Sequence, residues 1–185
     1  VVVENDANAA AWGEYRFGSG QGSASLIVVT VGTGIGGGII YRDRLIRGAH
    51  GMAAEFGHLV RVPEGRLCGC GKRGCWETQV GPRAVLRRVR ATVASGVPSV
   101  LCDLADGDLE RITFESVVQA ADQNDAVALR ALQEVGVNLG VGVANLVNIF
   151  NPELIVLGGA LNQASAILLP IVERLICENA LKPAC

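Results

Sequence analysis

Residues 25–41 read SLIVVTVGTGIGGGIIY. Residues 25–31 are apolar and mostly β-branched, the pattern of a strand. Gly32-Thr33-Gly34-Ile35-Gly36-Gly37-Gly38 follows as a glycine-dense turn. Residues 38–41 and 44–47 then read as the two arms of a hairpin around Arg42-Asp43. A turn of this kind exposes successive backbone N–H groups and a threonine hydroxyl, which suits phosphate oxygens. Glycine-rich turns also do nothing more than join strands, and this segment alone does not separate the two readings. It is not a P-loop, because it lacks GK[ST]. Nor does it open into a helix, as a dinucleotide-binding turn does.

Upstream, residues 1–3 read as a short buried strand, and residues 6–17 as an alanine-rich helix with Asp6 near its start. Residues 18–22 form a loop. Downstream, residues 48–58 read as a loop with a short helical stretch, 59–62 as a strand, and 63–74 as an irregular segment holding cysteines. Pro82 suits the first turn of a helix running to about residue 94. Residues 97–110 look loop-like. Thr113 is a candidate N-cap, with Ser116 and Val117 beginning a helix. Asn124 or Asp125 opens a long helix to about residue 149, and Asn151-Pro152 stops it. Residues 153–157 read as a buried strand ending at Gly158-Gly159, and 164–179 as an amphipathic helix. Strands and helices in this order specify an α/β lobe.

Composition narrows the function classes. Half of the 185 residues are hydrophobic and 18% are charged, which excludes a disordered chain. A net charge of −2 argues against a broad nucleic-acid-binding surface. The most apolar stretch, residues 135–150, carries Asn138, Asn145 and Asn148 together with glycines, and reads as a buried helix, not a membrane span. The opening Val1-Val2-Val3-Glu4-Asn5-Asp6 lacks the basic segment of a signal peptide. A cytoplasmic protein is expected. There is no initiator methionine, and Leu181 to Cys185 stops in a loop just after a helix, so a longer parent chain is expected.

Of the six cysteines, Cys68, Cys70 and Cys75 fall within eight residues, interleaved with glycines that let the backbone turn tightly. His58 lies ten residues upstream and completes a candidate Cys₃His set for a structural zinc ion. Lys72 and Arg73 would compensate thiolate charge. Reduced, unliganded thiols are the plain alternative. A redox dithiol fits less well, because the spacings are C-x-C and C-x₄-C instead of C-x-x-C. A catalytic zinc fits poorly, since four protein ligands leave no open position. Cys102, Cys177 and Cys185 are scattered and read as reduced, small apolar residues.

Several motifs combine along the chain: Glu4-Asn5-Asp6-Ala7-Asn8-Ala9-Ala10, the 32–38 glycine run, Glu55-Phe56-Gly57-His58, Cys68-x-Cys70-Gly71-x-x-Gly74-Cys75-x-Glu77, and Asn151-Pro152-Glu153-x-Ile155-Val156-x-Gly158-Gly159. Together they resemble the ROK family of sugar kinases and sugar-responsive repressors, across essentially the whole chain. The subgroup most similar is that of bacterial glucokinases. The resemblance implies the actin-like, hexokinase-type ATPase (ribonuclease H-like) fold, of which residues 1–185 would be most of the C-terminal lobe. The zinc loop would span about 58–77, and the N-terminal lobe and extreme C-terminus would lie outside this sequence. It implies Asp6 as catalytic base and Asn5, Glu55, His58 and Glu77 as sugar contacts. His58 would also ligate zinc, with Cys68, Cys70 and Cys75. Gly32, Thr33, Gly34, Gly36 and Gly37 would take the phosphates of ATP carried with Mg²⁺, and Gly158 and Gly159 would border the adenosine. The activity implied is ATP-dependent phosphorylation of a hexose, glucose first, in a cytoplasmic dimer or tetramer. The alternatives are a sugar-responsive repressor, or a kinase for N-acetylmannosamine or fructose.

The residues themselves are compatible with those roles. Asp6 at the start of a helix is either a functional carboxylate or an ordinary N-cap. Glu55 and Glu77 are either paired acceptors for vicinal hydroxyls or solvated surface charges. Trp12 and Trp76 read as packing residues and His50 as a loop residue. Two positions depart from the family pattern. Ala54 stands where a glycine usually precedes the glutamate, and Val80-Gly81-Pro82 replaces a Ser-Gly pair. The family's first phosphate motif, an Asp-x-Gly-x-Thr hairpin, is also absent from this sequence.

Overall fold

The computed structural model describes residues 3–182. Four strands form one sheet in the order β3-β2-β1-β4. β1 (Leu26–Val31) is central and almost wholly buried. It pairs antiparallel with β2 (Ile35–Tyr41) and parallel with β4 (Leu154–Gly159). The short β3 (Arg44–Leu45) closes a hairpin on β2, with Arg42 and Asp43 both at positive φ (49° and 62°) in the turn. The parallel β1–β4 pair requires a crossover, and the helices between residues 82 and 150 supply it.

Strand alternation divides the core in two. Leu26, Val28 and Ile40 face one side and pack with Ala11 of α1 (Asp6–Phe17). Ile27, Val29, Val31, Ile35 and Ile39 face the other and join the larger helical core. That core is built from α2 (Pro82–Ala94), α3 (Val100–Leu104), α4 (Phe114–Asp122), α5 (Ala126–Phe150) and α6 (Ser165–Asn179). The caps follow the sequence. Thr113 and Ser116 form a reciprocal capping box on α4. The Asp125 carboxylate accepts from the Ala128 N–H at 2.9 Å to open α5, and Asn151, at φ 43°, closes it in the left-handed conformation. Gly136 and Gly140 of α5 let α6 approach closely through Leu168, Val172 and Leu175. Helices 126–150 and 160–179 are long and apolar enough to cross a membrane by length and composition alone, and 56% of the most apolar window of the first is buried in this core.

Several expectations need correction. The glycine turn is only Gly32–Gly34 long, because Gly36, Gly37 and Gly38 are ladder residues of β2, opposite Thr30, Val29 and Val28. A Cβ on Gly37 would strike the Phe56 ring and one on Gly38 would strike Ala11, so glycine there serves close packing across the strand. Residues 59–62 make a single bridge, Val60 to Cys75, instead of a strand, since the cysteine loop offers no second extended segment. Residues 97–110 contain α3, capped by Ser99, and a short 3₁₀ turn at Leu109–Arg111. β4 is half-buried because it forms the sheet edge. Of the expected opening strand, Val1 and Val2 lie outside the described residues, and Val3 is exposed and irregular. Cys185 also lies outside them; Cys102 is a free, exposed thiol, and Cys177 is disulfide-bonded, not a reduced apolar residue. Trp76 is buried at 1% exposure, as expected, but Trp12 is 40% exposed and lies beside Tyr15 and Arg16. His50 lies exposed in a turn.

Candidate functional site

Asn5, not Asp6, caps α1. Its Oδ1 accepts from the N–H groups of Ala7 (2.9 Å) and Asn8 (3.2 Å). Asp6 is thereby released from the capping role; one carboxylate oxygen accepts from the Ala7 N–H at 2.8 Å, and the side chain is exposed. Both residues line a cleft of about 430 Å³. The same cleft is walled by Gly32, Thr33, Gly34, Gly36 and Gly37, and by Glu55, Glu77 and Gly159. Gly158 instead lines a neighbouring groove of about 310 Å³ with Val31, Leu157 and Leu161. The two glycines at the end of β4 therefore divide a polar cleft from an apolar groove.

His58 ends the 3₁₀ turn Phe56–His58, and Glu77 lies in the turn Trp76–Thr78. Trp76 fixes the second turn by donating its indole N–H to the Asn138 carbonyl of α5 at 2.9 Å. His58 Nε2 lies 3.9 Å from the Glu55 carboxylate and Nδ1 lies 3.7 Å from that of Glu77. His58 does not itself line the cleft, but it is the link between two carboxylates that do.

The four expected metal ligands converge. One ligand atom each from His58, Cys68, Cys70 and Cys75 lies within 4.8 Å of the others. His58 Nδ1 is 3.7 Å from the Cys68 sulfur, and the Cys70 and Cys75 sulfurs are 3.6 Å apart. Zn–S bonds of about 2.3 Å in a tetrahedron imply S···S edges of about 3.8 Å, so the donor set and its spacing fit a zinc ion. Burial pushes the Cys68 thiol up to about 12, and it faces Glu77 Oε1 at 2.7 Å. Burial also raises Cys75, whereas the backbone N–H of Lys72 holds the exposed Cys70 below the ordinary thiol range. A bound cation would oppose the burial effect, because thiolates are the ligating form.

Ala54, directly before Glu55, sits at φ 65°, where a side chain is strained and glycine is not. The substitution is thus larger in backbone terms than its size suggests. Gly81, at φ 97°, caps α2 against Val31 and the Gly32 carbonyl, and this brings the α2 N-terminus beside the glycine turn.

Two features escaped the sequence reading. Asn8 is 2% exposed, lines the cleft, and donates to Glu4 at 3.1 Å, while its carbonyl oxygen has no partner. Its signal was the four-residue spacing from Glu4 on α1. The second is a cavity of about 540 Å³ between the cysteine loop and α2, lined by Arg66, Arg83, Arg87 and Arg90. The 83/87/90 spacing was readable once α2 was assigned; the approach of Arg66 was not.

The family model described as "ROK family" matches residues 1–185. A glucokinase of Streptomyces coelicolor is 44% identical over 176 residues, covering 94% of this chain and 56% of that protein. A xylose repressor of Caldicellulosiruptor bescii is 40% identical over 165 residues, covering 89% of this chain and 40% of the repressor. The crystal structure of a ROK family glucokinase from Streptomyces griseus, in complex with glucose and AMPPNP, superposes with a TM-score of 0.88 at 44% identity, covering 96% of this chain and 58% of that one. The chain thus spans about half the length of the curated relatives it matches.

Proposed function

We propose that this chain, which belongs to the ROK family, supplies most of the C-terminal lobe of a cytoplasmic ATP-dependent hexose kinase that phosphorylates the 6-hydroxyl of glucose. The fold is the actin-like, hexokinase type, with helices on both faces of a mixed sheet. The observation that carries the reading is the cleft in which Asn5, Asp6, Glu55 and Glu77 share walls with the Gly32–Gly34 turn. The similarity to glucokinases, including one crystallised with glucose and AMPPNP, supports it.

In this reading Asp6 accepts the proton of the primary hydroxyl as the hydroxyl oxygen attacks the γ-phosphorus, and the bond from that phosphorus to the β–γ bridging oxygen breaks to release ADP. Asn5 keeps its amide N–H₂ for the sugar, because its oxygen is committed to the helix cap. Glu55 and Glu77 hold the remaining hydroxyls, and His58, expected as a further sugar contact, acts instead by orienting both carboxylates from behind the cleft; charge-assisted bonds of this kind are the stronger ones. The N–H groups of the 32–34 turn receive phosphate oxygens, and the Gly158 groove receives the adenosine. Mg²⁺ arrives with ATP. His58, Cys68, Cys70 and Cys75 would hold a zinc ion, which would supply structural order only and fix the ring angle and tautomer of His58. The reading includes association of the protein into a dimer or tetramer.

A second reading, a sugar-responsive repressor, is favoured by the 40% identity to a xylose repressor. It would use the same sugar contacts without phosphoryl transfer. The experiment is a coupled ADP-release assay of the full-length protein with ATP against glucose, mannose, fructose and N-acetylmannosamine. Turnover highest on glucose is expected. Sugar binding with no turnover on any of the four would replace the kinase reading with the repressor one.

A further inference from the structure

The arginine-lined cavity beside the cleft has no part in the mechanism above. Arg83, Arg87 and Arg90 stand at i, i+4 and i+7 on α2 and so share one face of the helix. Arg66 reaches the same cavity from the cysteine loop. Two of the four are clamped. Arg87 donates to the Thr78 carbonyl at 2.7 Å, and Arg90 to the Glu110 carboxylate at 2.6 Å and to the Glu110 and Ile112 carbonyls at 2.8 and 3.1 Å. Arg66 and Arg83 are exposed, and no ion pair among the described residues holds Arg66, Arg83 or Arg87. Arg88, pointing elsewhere from the same helix, does find a carboxylate, Glu134 at 3.1 Å.

Of the four, only Arg90 has a carboxylate partner among the described residues, Glu110, which does not line the cavity. Burial, with the fields of Arg88 and Arg66, disfavours the charged form of Arg87. The Nε of Arg90 is buried with no partner. The one carboxylate lining the cavity, Glu77, faces Cys68 and His58. Four guanidinium groups gathered around a concavity, three of them without an ion pair among the described residues, suit bidentate binding of phosphoryl oxygens, and the volume lies in the range of small-molecule sites.

We infer that the cavity between α2 and the cysteine loop binds a small anion bearing at least two phosphoryl groups, with Arg87 and Arg90 as fixed donors and Arg66 and Arg83 closing on it. Because Thr33 and Glu77 line both this cavity and the cleft, occupancy here is positioned to bias sugar and nucleotide binding. The anion can be an inorganic oligophosphate or a phosphate ester carrying two phosphates; both present the same oxygens.

The test is calorimetric titration of the full-length protein, without Mg²⁺ and at about 0.1 M salt, with inorganic tripolyphosphate, fructose 1,6-bisphosphate, and orthophosphate as the monovalent-site control. One of the first two should bind at least tenfold more tightly than orthophosphate, and which one does so identifies the source. The Arg66→Ala/Arg83→Ala double variant alters two exposed side chains outside the catalytic cleft. It should lose at least tenfold in that affinity while keeping its affinity for glucose. Arg88→Ala should leave the anion affinity unchanged. Absence of binding at this salt concentration overturns the inference. So does an affinity that survives the double variant, since the anion would then be held by the glycine turn.

Discussion

Asn5 and Asp6 divide two tasks that one residue often combines. The Asn5 oxygen caps α1, and the Asp6 carboxylate is left beside the cleft. Asn5→Ala should therefore lower stability by about 1 kcal/mol and also weaken sugar binding. Asn5→Ser, which keeps a capping oxygen but loses the amide N–H₂, should recover most of the stability and little of the sugar affinity. Thermal melts and sugar titration on the same variants check the split. The sequence reading left Asp6 open between cap and base, because both roles place a carboxylate at a helix start. The hydrogen bonds assign the cap to Asn5; the role of Asp6 as base is a proposal. Ala54 was similarly opaque: nothing in an alanine announces φ 65°. The Cys₃His set, in contrast, was legible from spacing, since three thiols in so short a segment have few other uses and the chain has only two histidines.

At the scale of elements, caps and stops were legible because their chemistry is local: Thr113 with Ser116, Asp125, Pro82 and Asn151 all do what their residue types dictate. Asp125 permits a pH test. Burial pushes its carboxyl up, but N–H groups of Ala128 and Val100 and the Ser99 hydroxyl outweigh this and hold it below the usual range. A depressed carboxylate stabilises above its unfolded pKa of about 4 and loses that contribution as pH falls through the folded value. Asp125→Ala should cost about 1–2 kcal/mol at pH 7, and the gap from the parent should close in chemical denaturation below about pH 4. The extent of the glycine turn was not legible, because a glycine needed for a turn and one needed for close packing look alike in sequence. The same holds for Gly142 on α5, where an added Cβ would strike the Trp76 ring. Gly142→Ala should destabilise by about 1–3 kcal/mol, the usual cost of overpacking. It should also loosen the turn carrying Glu77, visible as weaker sugar binding in the still-folded fraction.

For the whole molecule, sheet, cysteine loop and core helix act as one support. Trp76 ties the loop to α5, and His58 joins the loop to the carboxylates of the cleft. If the cluster holds zinc as proposed, a chelator should weaken sugar binding on the order of tenfold, read by titration before and after metal is restored; unchanged affinity would separate the metal from the sugar site. The α/β class and most of the element order could be read from periodicity, but not α3 or the loss of a strand at residues 59–62; the actin-like fold followed from the family resemblance. The basic cavity could not, because it arises where a loop meets a helix distant in sequence. Phosphoryl transfer rests on positioning and charge stabilisation supplied from around the whole cleft, so residues 1–185 alone should show little or no kinase activity. In the proposed function everything turns on Asp6 as the base of a sugar-phosphorylating cleft. The most direct measurement compares kcat and glucose affinity for the full-length protein and its Asp6→Asn variant, with ATP as donor. A fall in kcat of about 10²–10⁴-fold with glucose affinity little changed is the predicted result; turnover equal to the parent's would contradict it.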